Sequence, residues 1–374
     1  MTPRRDVPPS RTRATRPGAH PSVPAALSLG YRPSLDGLRA VAVLGVMAWH
    51  YVLPGVKGGF LGVDLFFVLS GFLITKLMLE EWDLTGGIHL GRFYVRRMLR
   101  LFPALFLLLL CMLPFVPREW IVASLLYVTN WGILAGKLNS CAIMQLWSLS
   151  VEEQFYLVWP PLLLGLLALR TPRGVIAGIV LALIAAAATF KIVAWKSLDD
   201  WSRFYFGSDA RADELLVGCA LAMFVSWTRV PAKAWFRTSV QVATIPVVLW
   251  LLYLGSASAV YWKLYYRQGG LTLVALATAV LILQCLVAPV PFVRGFLGSR
   301  VMVAIGRMSY GLYLWHSPVG WLTDARHYDW VPIMSRPVQF VVRVLLTFAI
   351  AGASYHFLER PILRLKHRFT TVER

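Results

Sequence analysis

Leu38-Arg39-Ala40-Val41-Ala42-Val43-Leu44-Gly45-Val46-Met47-Ala48-Trp49-His50-Tyr51 is an apolar run with an arginine near its start and a histidine near its end. A run of this composition reads as part of a membrane-crossing helix. Ionisable side chains at membrane depth are costly, so they face a protein interior and mark candidate functional positions. Arg39 and His50 are eleven residues apart, and at about 100° per residue they return to within about 20° of one another. Both therefore share one helix face, separated by a rise of roughly 16 Å. Asp36, three residues before Arg39, joins the same stripe. The plainer alternative is an Arg that snorkels to the headgroups and a His satisfied by a neighbouring helix.

The rest of the chain matches this run. Of 374 residues, 58% are hydrophobic and 15% charged, where a soluble domain carries about 25% charged, and the mean hydropathy is +0.63. Apolar stretches near 20 residues recur along the chain, so the fold class expected is an all-α polytopic integral membrane protein. The net charge of +19 falls between apolar runs, where it encodes topology and attraction to anionic lipid rather than nucleic-acid binding. Cys111, Cys141, Cys219 and Cys285 are widely spaced and form no CxxC, and the seven histidines show no ligand spacing, so no metal is expected.

Eleven apolar runs are visible, and 119–136 is the weakest, with Arg118, Glu119, Ser124, Thr129 and Asn130 in or beside it. If that run re-enters or lies at the outer face, ten spans remain and both termini are cytosolic. Inner segments then hold 22 Lys/Arg against nine in outer segments, the asymmetry that orients membrane proteins. Three parts are expected: a disordered basic, Pro-rich cytosolic tail over 1–30, a membrane domain over 31–361, and a basic cytosolic tail over 362–374. No apolar h-region precedes Leu38, so the N-terminal part is not read as a signal peptide.

Further ionisable and small residues punctuate the spans. Gly58 to Gly71 carries the intramembrane carboxylate Asp64, which needs His50 or an Arg as partner, and ends in Ser70-Gly71, a small face for helix contact. Arg97 and Arg100 share a helix face in Arg96-Arg97-Met98-Leu99-Arg100, suited to phosphate recognition or to a simple inner-boundary signal. Trp147 to Tyr156 places Glu152 and Glu153 in an apolar stretch. One of these carboxylates could orient His50, or merely favour a helix start. His316 closes Ser309-Tyr310-Gly311-Leu312-Tyr313-Leu314-Trp315-His316 and fits an outer cavity or, more simply, the aromatic belt. Asp209, Arg211, Asp213 and Glu214 read as an internally paired cluster, and His356 with Glu359-Arg360 as boundary residues.

Taken together these pieces resemble the membrane-bound acyltransferase 3 family of bacterial O-acyltransferases. The matching stretches are Tyr31 to Arg39 running on to His50, Gly59 to Gly71, Phe93-Tyr94-Val95-Arg96-Arg97 to Pro103, Trp147 to Tyr156, Ser309 to His316, and Glu359-Arg360-Pro361. The resemblance implies about ten helices, an acyl-CoA co-substrate taken from the cytosol with no permanently bound cofactor, and an acceptor hydroxyl. It puts functional weight on Arg39, His50, Ser70, Gly71, Arg97, Arg100, Glu152 and Glu153. Some members carry a C-terminal extracytoplasmic esterase-like domain, which is not expected here.

The expected function is transfer of an acyl group, most simply acetyl, to a carbohydrate, glycolipid or macrolide-type hydroxyl in the bacterial cytoplasmic membrane. His50, with Glu152 or Glu153, would be catalytic, and Arg39, Arg97 and Arg100 would bind the donor. Asp36, Asp64, Ser70, Gly71, Ser150, Tyr156 and His316 would support them. The rival expectation is a transporter or flippase with Arg39, His50 and Asp64 as a substrate or proton path.

Overall fold

The computed structural model describes residues 30–198, 201–228, 233–256, 269–328 and 331–365. Of the two expected tails, only Gly30 and 362–365 fall within these segments. Helices account for the regular structure, with no strand among the described residues. The helices are α1 (Pro33–His50), α2 (Leu61–Thr85), α3 (Leu90–Met112), α4 (Arg118–Leu125), α5 (Thr129–Leu134), α6 (Leu146–Ala168), α7 (Arg173–Leu198), α8 (Trp201–Phe206), α9 (Ser208–Trp227) and α10 (Ala234–Ser256). They are followed by α11 (Gly270–Val287), α12 (Pro291–Leu297), α13 (Arg300–Arg307), α14 (Ser309–Leu322) and α15 (Arg336–Ala353), then a π-helical turn (Ser354–Glu359) and α16 (Arg360–Leu365).

Five stretches are long and apolar enough to cross a membrane: α2, Arg173–Ala194 of α7, α10, α11 and Arg336–Leu365. They divide into two kinds. The most apolar windows of α2 and α11 are 67% and 61% buried inside the protein, whereas those of α7, α10 and the last stretch are 17%, 11% and 22% buried. Leu181, Val193, Leu249, Leu252 and Leu345 are among their exposed residues. A leucine-rich surface of this extent is anomalous in water and ordinary in lipid. Helices α1, α3, α6 and α9, each with charged residues in or beside its apolar stretch, are not among the five.

The run at 119–136 folds as α4 and α5, of eight and six residues. At about 1.5 Å per residue neither crosses a hydrocarbon core of about 30 Å. Gln154 of α6 pins the link between them: its amide donates to Tyr127 O at 2.7 Å and Asn130 Oδ1 at 3.0 Å. Residues 300–322 form two helices rather than one, broken at Met308 between α13 and α14.

At the centre, α2 lies along α9, and α6, α7 and α11 pack around that pair. On the other side α1 contacts α2, α12, α13 and α14, while α3 closes against α14 and the π-helical turn. The α2–α9 approach depends on two glycines. A Cβ on Gly71 would collide with Leu215 O, and one on Gly218 with Val68 O. These are backbone atoms, so the helices must separate to accept a side chain. Gly71→Ala should therefore lower the thermal unfolding midpoint in detergent by the equivalent of about 1–3 kcal/mol. An unchanged midpoint would show that the two helices slide apart without cost.

Candidate active site

Side chains of interest gather at each end of α1, and a further group is built on α2, α3 and α6. Proline at the first helical position sets the start of α1, and Asp36 in the first turn suits the helix dipole. At this end a cavity of ≈ 180 Å³ is lined by Arg39 and Asp36 of α1, Arg100 of α3, Arg307 of α13, Tyr310 of α14, and Tyr355 and Glu359 of the π-helical turn. Arg39 Nε donates to Ser309 Oγ at 3.2 Å. Arg307 donates to Tyr31 Oη at 2.9 Å, and that hydroxyl donates to Asp36 at 3.0 Å. Arg100 has no hydrogen bond or ion pair to any described side chain. Glu359 is buried and accepts from Ser354 Oγ at 3.1 Å. Three guanidinium groups against two carboxylates leave this cavity net positive, with room for phosphate groups but not for a whole nucleotide.

Two of its members were not expected from the sequence. Arg307 ends a short helix and reads there as one basic residue among many. Glu359 reads as a boundary residue because the π-helical turn that aims it inward has no sequence signature, although such turns recur at functional positions.

The carboxylates of α6 have taken other partners. Ser70 Oγ donates to Glu152 Oε1 at 2.6 Å. Glu153 holds Arg97 through contacts of 2.8 Å from Nε and 2.7 Å from Nη2. The Arg97 guanidinium lies 3.2 Å from the centre of the Tyr156 ring, a cation–π contact. Neither carboxylate hydrogen-bonds or ion-pairs with His50. The pairing expected of Glu152 or Glu153 with the imidazole is therefore absent, because Ser70 and Arg97 are the donors these carboxylates accept from. Arg97 differs from Arg39 and Arg100 in that it is paired with Glu153 and does not line the cavity. Ser150 shares a hydrogen bond with Thr129 at 2.7 Å and ties α6 to α5.

At the far end His50 is the last residue of α1 and is exposed. Its Nδ1 lies 3.0 Å from Val46 O. In the neutral ring this contact places the proton on Nδ1 and leaves a lone pair on Nε2. A backbone carbonyl thus fixes the tautomer that a carboxylate would otherwise fix. The chain leaves the helix through Val52, whose φ of 57° is a strained value for a β-branched residue. His316 of α14 sits against His50, with ring centres 4.8 Å apart and planes at 64°. It is fully buried, so it is not an interfacial belt residue. Its Nδ1 lies 2.6 Å from Tyr313 O.

Asp64 finds an arginine rather than His50. Arg211 of α9 pairs with Asp64 at 3.1 Å and Glu214 at 2.9 Å. Lys191 of α7 pairs with Asp213 at 2.7 Å, to which Thr272 of α11 also donates at 2.5 Å. All five charged residues are fully buried. Gly71 acts in packing, as described above.

A family model described as an acyltransferase domain matches residues 32–356. The chain is 35% identical over 356 residues to a putative peptidoglycan O-acetyltransferase, YrhL, of Bacillus subtilis, covering 89% of this chain and 55% of that protein. It is 36% identical over 355 residues to the peptidoglycan O-acetyltransferase OatA of Listeria monocytogenes, covering 89% and 56%. To the O-acetyltransferase OatA of Staphylococcus aureus it is 33% identical over 358 residues, covering 89% and 57%. The chain thus spans little more than half the length of these relatives. No solved structure matches it. With the match running from Arg32 to His356, across the arginine-lined cavity, the α6 carboxylates and both histidines, the chain belongs to the acyltransferase 3 family.

Proposed function

We propose that this protein is a multi-pass O-acetyltransferase of the bacterial cytoplasmic membrane, moving acetyl from acetyl-CoA to a hydroxyl of a peptidoglycan-type carbohydrate. The observation that carries this reading is α1 itself. One end of its functional face opens into a cavity of three arginines, and the other ends in a histidine with an unused Nε2 lone pair. The acceptor class is carried over from the names of the relatives.

In this reading the donor phosphates enter from the basic, cytosolic side and sit among Arg39, Arg100 and Arg307. The pantetheine arm spans the roughly 16 Å from Arg39 to His50. Neutral His50 accepts the proton of the acceptor hydroxyl at Nε2 while the oxygen attacks the thioester carbonyl. Collapse of the tetrahedral intermediate breaks the C–S bond, and the departing thiolate takes the proton back from the imidazolium. Glu152 and Ser70, midway along, border the arm, and the Arg97–Glu153 pair holds α3 to α6.

Arg100→Ala and Arg307→Ala should each raise the KM for acetyl-CoA about tenfold, the worth of one charge-assisted contact, with kcat little changed. Arg97→Ala should act instead on stability, through the orphaned Glu153. An unchanged donor KM in both cavity variants would remove the phosphates from this cavity. The function as a whole is tested with purified protein, labelled acetyl-CoA and peptidoglycan fragments. Labelled ester on the glycan is the expected product, and substrate movement across vesicles without acyl transfer would overturn the reading in favour of a transporter.

A further inference from the structure

The hydrogen bond of His50, from Nδ1 to Val46 O at 3.0 Å, is made within α1. It fixes the imidazole to the last turn of the helix, so the ring is placed no better than that turn is. Helix ends fray unless something ties them down. The chain beyond gives no such support: Val52 follows with φ of 57°, and turns lead on to Leu61.

The tie is Tyr51, which is buried. Its Oη lies 2.8 Å from His316 O on α14 and 2.6 Å from Thr347 Oγ1 on α15. A carbonyl can only accept, so the single phenolic proton goes to His316 O, and the Thr347 hydroxyl must donate to Tyr51 Oη. One chain of hydrogen bonds thus runs from α15 through the end of α1 to α14. Both of its ends are anchored. Thr347 is fully buried. On α14, Pro318 offers no N–H to Leu314 O, and Gln145 Nε2 of α6 takes that place at 2.8 Å. Gly320, one turn past His316, makes room for the phenol: a Cβ there would come within 3.3 Å of the Tyr51 ring. Phe340 of α15 meets that ring edge-on, with centres 6.4 Å apart.

We propose that Tyr51 is the positioning residue for His50: it holds the last turn of α1, and with it the Nε2 lone pair, where the acceptor hydroxyl meets the thioester. The inference rests on the reading of His50 as the base. Tyr51 takes no part in the chemistry, because its hydroxyl is committed to Thr347 and His316 and its side chain is buried. Its effect on rate comes from alignment. A misplacement of about 1 Å can cost about a hundredfold in a reaction that depends on near-attack geometry. The plainer reading is a buried tyrosine whose hydroxyl has found partners, and it predicts a loss of stability without a specific loss of turnover.

Tyr51→Phe removes both hydrogen bonds and keeps the ring. With acetyl-CoA and a peptidoglycan fragment, it should lose about 10–100-fold in kcat at unchanged donor KM. Thr347→Val keeps the shape and removes only the donor to Tyr51, and should lose about three- to tenfold. Thr347→Ser restores that donor and should stay within about twofold of the parent. The same changes made on His50→Ala separate alignment from packing. If Tyr51 acts through His50, adding Tyr51→Phe to His50→Ala costs nothing further, because residues that act as a unit are not additive. Parental kcat in Tyr51→Phe overturns the proposal. So does the same fold-loss with and without His50, which is the mark of a packing role. If Tyr51→Phe does not fold, Thr347→Val and Thr347→Ser, each alone and on His50→Ala, decide by the same criteria. A fully active His50→Ala protein removes the base and this inference together, whereas an inactive His50→Ala beside a fully active Tyr51→Phe removes this inference alone.

Discussion

His50→Ala should lower kcat by about two to four orders of magnitude while leaving the donor KM within a fewfold of the parent. The size follows from what is removed. An acceptor hydroxyl is a poor nucleophile at neutral pH, and in the proposed reaction His50 Nε2 is the lone pair that relieves it of its proton. The small change in KM follows from distance, since in the proposed reaction the donor's phosphates bind among Arg39, Arg100 and Arg307, which line the cavity at the other end of α1. Stability should hardly change. His50 is exposed at a helix terminus, and among the described residues its hydrogen bond is to Val46 O within its own helix. Activity and thermal unfolding measured on the same detergent preparation check both halves. A folded, fully active His50→Ala protein would remove His50 from catalysis, and an unfolded one would contradict its exposed position.

The axis of this site was legible in the sequence, and its partnerships were not. Arg39 and His50 share a face because eleven residues make close to three helical turns, which is local geometry. The carboxylates were a different matter. Glu152 and Glu153 are acids in an apolar stretch, and sequence alone could offer them to His50. Which cation or hydroxyl each meets depends on how α6 sits against α2 and α3, and it sits with Ser70 and Arg97 within reach. Arg307 and Glu359 escaped notice for a related reason. One lies just before a helix break at Met308 and the other on a π-helical turn, and both breaks arise from packing. The Asp209 to Glu214 cluster was readable as internally paired, but of its partners from other helices only Arg203, which holds Asp209, is near in sequence, while Asp64 and Lys191 are separated from it by longer stretches of chain.

Arg211→Leu should cost about 3–5 kcal/mol, most of the stability available to a protein of ordinary marginal stability. Arg211 is fully buried among the Phe67, Trp147 and Tyr205 rings, with guanidinium-to-ring distances of 5.2, 5.7 and 5.3 Å. It faces Asp64 on α2 and Glu214 on its own helix, both fully buried. Removing the arginine does more than delete an attraction. It leaves two carboxyl groups facing each other with no cation, in a region where water cannot compensate. The α2–α9 crossing that Gly71 and Gly218 make possible would then carry that repulsion beside Asp64. Expected results are a large fall in folded yield and in the thermal midpoint of whatever protein is recovered. The decisive comparison is the triple variant Arg211→Leu, Asp64→Leu and Glu214→Leu. If the penalty lies in the uncompensated acids, neutralising all three should recover most of the lost stability, because a buried ion network is often no more stabilising than apolar residues of similar volume. If the triple variant is as unstable as Arg211→Leu alone, the aromatic contacts of the guanidinium hold α2 to α9, and the charges contribute little.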